Sequence, residues 1–369
     1  MFLRSLTLTN FRSYADLDLR FARSSVIFLG DNAQGKTNLL EAIALLATGI
    51  SPFAAREAEL IRWDADQAII RSMVDRELGA TAVDLLFRSG GRRAIRVNGV
   101  YQRRAADLLG TVMTVCFSVE DLQLVKGAPA LRRRYLDGIA AQLGPTYYQA
   151  TQHYQRVLLQ RNNALRAIAE GGMADLEIWD VQLVRYGAEI WRRRRELVAA
   201  LAGRAQDWHA QLSSGHEELS MRLVPGLEGS EPDWAGAFSE QLREGRAREV
   251  ARGQTLVGPH RDDLELAING REAKAFASQG QQRTVVLALK LAELDVFRAE
   301  SGESPLLLLD DVLAELDIRR QNALLAAIGG EVQTFVTSTH LSDFTADWID
   351  AAEIFSVAGG AVRPFSKAF

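Results

Sequence analysis

The sequence predicts an α/β fold in which a parallel-sheet domain is split along the chain by a helical insertion. Near the N-terminus, the apolar run 26–29 precedes a loop with two glycines and then a helix-patterned segment, 38–47. A second buried-strand run, 306–309, ends in two carboxylates. Between these regions, apolar residues recur at three- and four-residue steps from Tyr147 to Trp191. Strand patterns at both ends and helical patterns between them indicate one sheet built from two distant segments.

The loop after the first strand has the spacing that wraps the phosphates of a nucleotide. Gly30 and Gly35 let the backbone turn its N–H groups toward a β-phosphate, and the start of the next helix adds partial positive charge. Lys36 is expected to reach the β- and γ-phosphates, and the Thr37 hydroxyl to bind Mg²⁺. The predicted contact residues are Gly30, Asp31, Asn32, Ala33, Gln34, Gly35, Lys36, Thr37 and Asn38.

Two carboxylates, Asp310 and Asp311, end the strand run near the C-terminus. A parallel strand delivers its last residues to the ligand-binding edge of the sheet, so Asp310 is predicted to hold Mg²⁺. A compact kinase or GTPase would not separate the phosphate loop and these carboxylates so widely. We therefore predict an inserted domain between them.

Two further motifs accompany Asp310. Ser278 and Gly280 stand directly before the helical pattern 285–292, and a hydroxyl with free N–H groups at a helix start forms a second anion site. One nucleotide per loop and two such helix starts suggest that the second site serves another copy of the chain. His340 follows an apolar strand pattern and is expected to face the ligand crevice. The four elements match, in order, the motif series of an ABC ATPase.

The chain resembles the RecF family, bacterial recombination-repair ATPases of the ABC class that are related to the SMC proteins. The likeness rests on stretches that span nearly the whole chain in the expected order: 8–14, 117–122, 132–137, 258–264 and 278–283. General ABC motifs would indicate only the superfamily, whereas the stretch 258–264 is far more restrictive. The implied fold is an ABC-type P-loop ATPase head, split by a helical arm that is a short antiparallel hairpin.

The resemblance implies an ATP-gated clamp in which two copies bury two ATP molecules between them. Residues Ser278, Gln279, Gly280 and Gln281 of one copy would cap the γ-phosphate held by the other. Asp311 stands where many ABC ATPases carry a glutamate that orients the attacking water, and the shorter side chain implies slow hydrolysis. Lys36, Asp311 and His340 are the implied catalytic residues, with His340 sensing the γ-phosphate.

Other roles also come from the resemblance. Arg12 matches an arginine that contacts the nucleotide in SMC-like relatives, and Asp317 matches a loop that communicates across the dimer. ABC proteins usually have a glutamine that links Mg²⁺ to the inserted domain, and either Glu120 or Gln123 could fill that position here.

The resemblance implies binding to duplex, gapped and junction DNA, with RecR as the direct partner and with RecO and RecA loading downstream. The net charge of −4 argues against a uniformly basic DNA-binding surface. No base-reading motif is present, so we expect no sequence specificity. A single arginine run is usually a solvated helix face, but several together favour phosphate contacts. The runs lie at 92–93, 103–104, 132–134, 192–195 and 243–252.

The insertion pattern predicts a first helix of about 23 residues, roughly 35 Å long, and a second series at Ile178, Val181, Val184, Ala188 and Trp191 in the hairpin core. A less regular stretch follows at 213–231, and another helix is expected at 234–252. The predicted divisions are 1–140 for the first part of the head, 141–253 for the arm and 254–369 for the second part of the head.

Composition limits the remaining possibilities. The 369 residues are 47% apolar, which suits two or three globular domains. The longest apolar stretches are far shorter than the roughly 18 residues that cross a bilayer, and there is no signal pattern. We therefore expect no membrane partner and a cytoplasmic protein, with the single Cys116 as a buried structural thiol. Association with the nucleoid is what the RecF resemblance implies. Two alternatives are an architectural SMC-like DNA organiser, disfavoured by the short arm, and a transport-type ABC subunit, disfavoured by the stretch 258–264.

Overall fold

A computed structural model describes residues 1–54, 56–228, 233–328 and 330–365. The chain forms two compact units. The head unit comprises Met1–Asp121 and Val286–Phe369, and the arm unit comprises Leu122–Val285. No helix in the described parts combines the length and the apolar character that crossing a bilayer requires.

The strands are named in chain order. They are β1 (Phe2–Phe11), β2 (Tyr14–Arg20), β3 (Ser25–Leu29), β4 (Gln67–Arg76), β5 (Gly79–Arg88), β6 (Ala94–Val97), β7 (Val100–Gln102), β8 (Thr114–Ser118), β9 (Leu219–Val224), β10 (Asp263–Ile268), β11 (Arg271–Glu272), β12 (Leu306–Asp310), β13 (Thr334–Ser338), β14 (Glu353–Ala358) and β15 (Ala361–Pro364).

The α-helices are α1 (Lys36–Thr48), α2 (Gln123–Lys126), α3 (Pro129–Leu143), α4 (Pro145–Ala169), α5 (Glu177–Ser213), α6 (Trp234–Arg252), α7 (Ala273–Phe276), α8 (Gln279–Ser301), α9 (Ile318–Ile328) and α10 (Ala346–Ala351). Short 3-10 helices occur at Glu57–Leu60, Ala105–Asp107, Val119–Leu122, Pro259–Arg261, Leu313–Glu315 and Leu341–Asp343.

Two six-stranded sheets form the described head unit. One is antiparallel, in the order β2-β1-β4-β5-β6-β7, and the other has the order β15-β14-β3-β13-β12-β8. In the second sheet β14, β3, β13, β12 and β8 run parallel, and β15 is an antiparallel edge strand. The central strand β13 is buried at every position, as expected for a parallel strand covered on both faces.

Aromatic side chains fill part of the head core. The rings of Phe28 and Phe335 stack 6.3 Å apart, and Phe21 meets Phe335 edge-on at 5.0 Å. All three belong to a buried cluster that also takes apolar side chains from β1 and from α1. The buried side of α1 therefore holds the phosphate loop, residues 30–37, against the sheet.

The arm unit is built around an antiparallel pair of helices, α4 and α5. Contacts from Arg161 to Asp180 and from Tyr147 to Arg194 run in opposite directions along the two helices. The first helix has 25 residues, close to the predicted 23, and α5 has 37, or about 55 Å.

The buried stripe of α5 differs in part from the predicted one. Ile178 and Val181 were expected in the hairpin core but are 58% and 65% exposed. Trp191 is fully buried as predicted, and the other buried positions are Leu183, Gly187, Ile190 and residues farther along α5. At about 100° per residue, positions 178 and 181 lie roughly half a turn from Leu183 and therefore point away from the core.

A small antiparallel sheet, in the order β11-β10-β9, completes the arm unit. Its strand β9 lies within the stretch 213–231 that appeared irregular in the sequence, and the end of that stretch, 229–231, lies outside the described residues. The helix α6 spans 234–252 as expected.

The divisions proposed at 140 and 253 do not coincide with the two units. Arg132 of α3 forms two hydrogen bonds with Asp263 of β10, at 2.6 and 2.9 Å, and these bonds join residues from both sides of the insertion within the arm unit. The arm unit also contains the start of α8.

Candidate functional site

The carboxyl ends of four parallel strands meet at one edge of the head sheet. Asp310 pairs in register with Thr337 on one side and with Ser118 on the other, and Ser338 pairs with Leu29. The strand ends therefore place Asp310 and Ser338 beside the phosphate loop. This edge is where ligands bind in open α/β sheets.

Glycines are required in the phosphate loop for two different reasons. Gly35, the N-cap of α1, has φ +108°, a conformation that side chains rarely adopt. A Cβ at Gly30 would lie 2.2 Å from the carbonyl oxygen of Val357. Lys36 is 4% exposed, and its Nζ donates to the carbonyls of Gly30 at 2.7 Å and Asp31 at 3.1 Å. The ammonium is thus held against the loop.

Thr37 and Asp310 come together as expected for a metal-binding pair. Thr37 Oγ1 donates to Asp310 Oδ1 at 3.0 Å, and Thr337 Oγ1 donates to the same oxygen at 2.8 Å. Burial raises the pKa of Asp310, and both hydroxyls act in the opposite direction. Adjacent oxygens around Mg²⁺, at about 2.1 Å from the ion, are about 3 Å apart. The two oxygens therefore fit neighbouring ligand positions of Mg²⁺.

Asp311 has an unusual backbone. Its φ is +52°, in the left-handed region that is uncommon for residues other than glycine. Its N–H donates to Thr337 Oγ1 at 2.9 Å. Thr337 thus contacts both carboxylate residues of the strand end, and the turn at Asp311 directs the second side chain differently from the first.

The segment 10–14 is bonded to the phosphate loop. Tyr14 Oη donates to the carbonyl of Gly35 at 2.9 Å, and Asn38 Nδ2 donates to Ser13 Oγ at 3.0 Å. Arg12, with φ +50°, forms a bidentate ion pair with Glu41 of α1, with both distances 2.7 Å. This pairing raises the pKa of Arg12.

Glu41 was not singled out from the sequence, although it is 1% exposed and also accepts a hydrogen bond from Ser51 Oγ at 2.5 Å. The available signal was a charged residue in the middle of the apolar helix pattern 38–47.

An open cavity of about 610 Å³ lies next to this segment. It is lined by Asn10, Arg62, Trp63, Asp64, Ala65, Asp66 and Gln67. Arg62 donates through its backbone N–H to Asn10 O and through Nη1 to Ser13 O, each at 2.8 Å. Trp63 is 91% exposed. The sequence interpretation missed this cavity, because only the fold brings residues 62–67 beside Asn10.

His340 and Asp317 belong to separate turns of the head unit. The His340 N–H donates to Ser338 Oγ at 3.1 Å, at the end of β13. Asp317 accepts from the backbone N–H of Arg320 at 2.9 Å, which lowers the pKa of Asp317. Within the described chain, neither residue shares a hydrogen bond with the phosphate loop.

Ser278 and Gln281 form a reciprocal cap at the start of α8. The Gln281 N–H donates to Ser278 Oγ at 3.2 Å, and the Ser278 N–H donates to Gln281 Oε1 at 2.8 Å. This is a capping box, with glutamine at its third position. Because the Ser278 oxygen accepts within the cap, its O–H remains able to donate outward.

Side chains from α4 and α5 form hydrogen bonds with the stretch 258–264 in the arm unit. Arg194 Nη1 donates to Pro259 O at 2.7 Å and to Asp262 Oδ2 at 2.6 Å, while Trp191 Nε1 donates to Asp262 Oδ1 at 2.8 Å. Tyr154 Oη and His260 Nδ1 are 2.8 Å apart. Desolvation lowers the pKa of His260 to about 4, so the ring is neutral near pH 7 and its Nδ1 can accept from the tyrosine.

Of the remaining candidates, Glu120 and Gln123 are both exposed, at the 3-10 helix before α2 and at the first residue of α2. Cys116 is free and only partly buried, and desolvation raises the pKa of its thiol to about 12. It is therefore not a nucleophile near neutral pH.

Comparison with known proteins identifies the family. Residues 2–360 match the RecF/RecN/SMC N terminal domain. A relative from Synechococcus sp. (strain JA-2-3B'a(2-13)), called DNA replication and repair protein RecF, is 46% identical over 99% of this chain and 98% of its own length. The chain belongs to the RecF family. A second RecF, from Gloeobacter violaceus (strain ATCC 29082 / PCC 7421), is 45% identical over 98% of both chains.

Solved structures agree with this membership. The recombination mediator protein RecF-ATPrS in the RecFOR pathway matches with a TM-score of 0.91 and 32% identity, over 99% of this chain and 98% of the other. An Smc head bound to the C-winged helix domain of ScpA matches with a TM-score of 0.58 at 18% identity, over 100% and 98% of the two chains, which shows the shared fold alone. The predicted RecF resemblance and ABC-type α/β head are confirmed.

Proposed function

We propose that this RecF-family chain binds ATP and Mg²⁺ at the phosphate loop and acts as an ATP-gated homodimer on DNA during replication and repair. The observation that carries the proposal is the 3.0 Å approach of Thr37 Oγ1 and Asp310 Oδ1 beside the buried Lys36. Relatives called DNA replication and repair protein RecF, and the RecF-ATPrS structure, support the same assignment.

ATP would bind with its phosphates on residues 30–38. Lys36 would exchange its two carbonyl partners for β- and γ-phosphate oxygens, and a Mg²⁺ ion held by Thr37 and Asp310 would neutralise charge on those phosphates. Arg12, fixed by Glu41, would add a guanidinium with a defined direction.

The base would lie in the cavity of about 610 Å³ beside the segment 10–14. The exposed Trp63 ring offers a stacking surface. Asp64, with φ +65°, offers a carboxylate that can accept from the exocyclic amine of adenine. Both features suit a base with an exocyclic amine, such as adenine.

Asp311 would orient the attacking water, and His340, at the end of β13, would contact the γ-phosphate. The left-handed backbone of Asp311 and its shorter side chain support slow hydrolysis that ends the dimeric state instead of driving motion. DNA would stimulate this hydrolysis.

Dimer formation would place Ser278, Gln279, Gly280 and Gln281 of one copy on the γ-phosphate of the other. The outward O–H of Ser278 suits a phosphate oxygen. Two large apolar side chains next to the segments assigned to the interface are highly exposed, Phe276 at 71% and Ile318, beside Asp317, at 75%. Each would lose contact with water in such a dimer.

The arginine runs can be sorted by their partners. Arg132 and Arg194 are buried and bonded to aspartates, and Arg192 and Arg193 pair with Glu189 and Glu196. These four are therefore poor candidates for DNA contact.

Arg248 and Arg252, four residues apart on α6, are exposed, and they line an open cavity of about 530 Å³ together with Arg261, Glu228, Glu244 and Glu249. Like charges at this spacing destabilise a helix, and a bound phosphate would relieve the repulsion between the two exposed arginines. We assign them to the DNA backbone, on duplex, gapped and junction DNA. RecR as a direct partner, with RecO and RecA downstream, is what the RecF resemblance implies, and the matching RecF-ATPrS structure is described as part of the RecFOR pathway.

Sedimentation with a non-hydrolysable ATP analogue tests the dimer. Ser278→Arg should abolish ATP-dependent dimers and leave monomer ATP binding intact, because the new cation would collide with the partner's nucleotide. Lys36→Arg should weaken both ATP binding by the monomer and ATP-dependent dimer formation, since a guanidinium cannot take the place of a compact ammonium. Dimers unchanged in both variants would refute the proposal.

Filter binding with gapped, linear and single-stranded DNA, with and without ATP, tests the DNA assignment. Arg248→Glu with Arg252→Glu should weaken binding at every sequence, and Arg192→Glu with Arg193→Glu is the matched control. An SMC-like organiser would show no preference for gaps, and a transport subunit would not bind DNA.

A further inference from the structure

A carboxylate outside the predicted motifs contacts the cap of α8. Gln281 Nε2 donates to Glu217 Oε1 at 2.7 Å. The same Gln281 side chain accepts the Ser278 N–H through Oε1. Gln281 therefore uses both ends of its amide, one for Ser278 and one for Glu217.

Glu217 also lies beside the end of α5. Its other oxygen, Oε2, lies 3.6 Å from Nε2 of His209, whose side chain is fully buried in α5. The turn that contains Glu217 begins with Ser214 and Gly215, both in left-handed conformations, and leads directly into β9. Glu217 thus has a short, fixed connection to the arm helix.

The choice of glutamine in the cap requires a reason. Glutamate and glutamine both complete a capping box, and the negative charge of glutamate is favourable at a helix N-terminus. Glutamate, however, has no donor and would place a second carboxylate against Glu217. A glutamine therefore keeps the cap and the Glu217 contact together, which a glutamate cannot do.

We propose that Glu217 is a positioning residue for the partner's nucleotide site. It fixes the Gln281 amide, which fixes the Ser278 hydroxyl and the free N–H groups at the start of α8. The ligand class at this surface is the γ-phosphate of ATP bound by a second copy, so the inference rests on the proposed function. Without the Glu217 contact the Gln281 side chain would be free to move. The Ser278 hydroxyl and the N–H groups at the start of α8 would then have to become ordered when the phosphate binds, which would weaken binding.

An amide–carboxylate exchange tests this pair. Gln281→Glu keeps the capping box but repels Glu217, and ATP-dependent dimer affinity should fall about tenfold or more. Glu217→Gln alone keeps an acceptor for Gln281 and should change affinity by less than about threefold. The double variant restores one amide and one carboxylate and should return affinity to within about threefold of the natural chain.

Glu218→Gln is the matched control, since it alters the neighbouring exposed glutamate. Full affinity in Gln281→Glu, or a double variant no better than Gln281→Glu, would overturn the positioning role. Failure of the proposed function has a different result, because Ser278→Arg would then leave the dimer intact. If Ser278→Arg abolishes the dimer but the double variant binds no better than Gln281→Glu, the proposed function stands and only the positioning role of Glu217 is refuted.

Discussion

Removing the Arg194 side chain should strongly destabilise the arm unit. Its guanidinium donates to Asp262 Oδ2 and Pro259 O, at 2.6 and 2.7 Å, and to Asp137 Oδ1 at 2.7 Å. In Arg194→Met, Asp262 would keep Trp191 and the Gly226 N–H as donors but would lose its cationic partner while 1% exposed.

The magnitude follows from the burial of each partner. Removal of one member of a buried ion pair typically destabilises a protein by about 3–5 kcal/mol. Asp137 is 34% exposed, so water can replace part of its lost contact and it adds little. We expect a decrease of about 4 kcal/mol in the free energy of unfolding. Burial raises the pKa of Asp262 while Arg194 lowers it, so the variant should lose less stability at acidic pH, where Asp262 can be protonated.

Urea unfolding followed by tryptophan fluorescence measures this change, since Trp179, Trp191, Trp208 and Trp234 all lie in the arm unit. Arg193→Met is the control, because Arg193 is 45% exposed and pairs only with Glu189 and Glu196, so it should change stability by less than about 1 kcal/mol. Asp262→Asn combined with Arg194→Met should recover part of the loss, because position 262 then carries no unpaired buried charge. An Arg194→Met chain as stable as the control would refute the reasoning.

Three further predictions concern the head and the arm. Trp63→Ala should weaken ATP binding about tenfold, because the stacking contact is lost. ATP should also quench tryptophan fluorescence less in the variant than in the natural chain. Equal ATP affinity of the two chains would exclude Trp63 from the base site. Glu41→Gln should also reduce ATP affinity about tenfold in a nucleotide titration, because Arg12 loses its bidentate partner; an unchanged titration would remove Arg12 from the site. The pKa of His260 is lowered to about 4, so the unfolded chain takes up the proton first, and stability falls as pH drops from about 6.5 toward 4. Relative to His260→Gln, the natural chain should lose about 3 kcal/mol across that range in urea titrations; parallel curves would contradict the shift.

The elements nearest the nucleotide could be predicted from the sequence because their signals are local. A glycine-containing loop, a helix start and a strand that ends in carboxylates each fix their own geometry, and β13 occupies the apolar run anticipated for it at 334–338. The juxtaposition of Thr37 and Asp310 then follows from parallel strands that end at one edge.

Partners distant in the sequence could not be predicted in this way. Arg132 and Arg194 belong to arginine runs that are typical of a solvated surface, yet both are buried. Their partners, Asp263 and Asp262, come from the stretch 258–264, which is distant in the sequence. The face of α5 was also misassigned, since Ile178 and Val181 fit a helical period but not the side that meets α4. Periodicity identifies a helix but does not fix which side it buries when arginine and glycine share the stripe.

The left-handed turn at Asp311 gives a reason for aspartate at a position where many ABC ATPases have glutamate. Asparagine and aspartate tolerate positive φ much better than longer side chains, since their short polar groups can bond locally. Lengthening this side chain to accelerate turnover would therefore introduce backbone strain at the site where the carboxylate must be aimed. The slow turnover proposed for this chain would thus be built into the main chain, and redesign for speed would have to begin with the strand end that sets the angle.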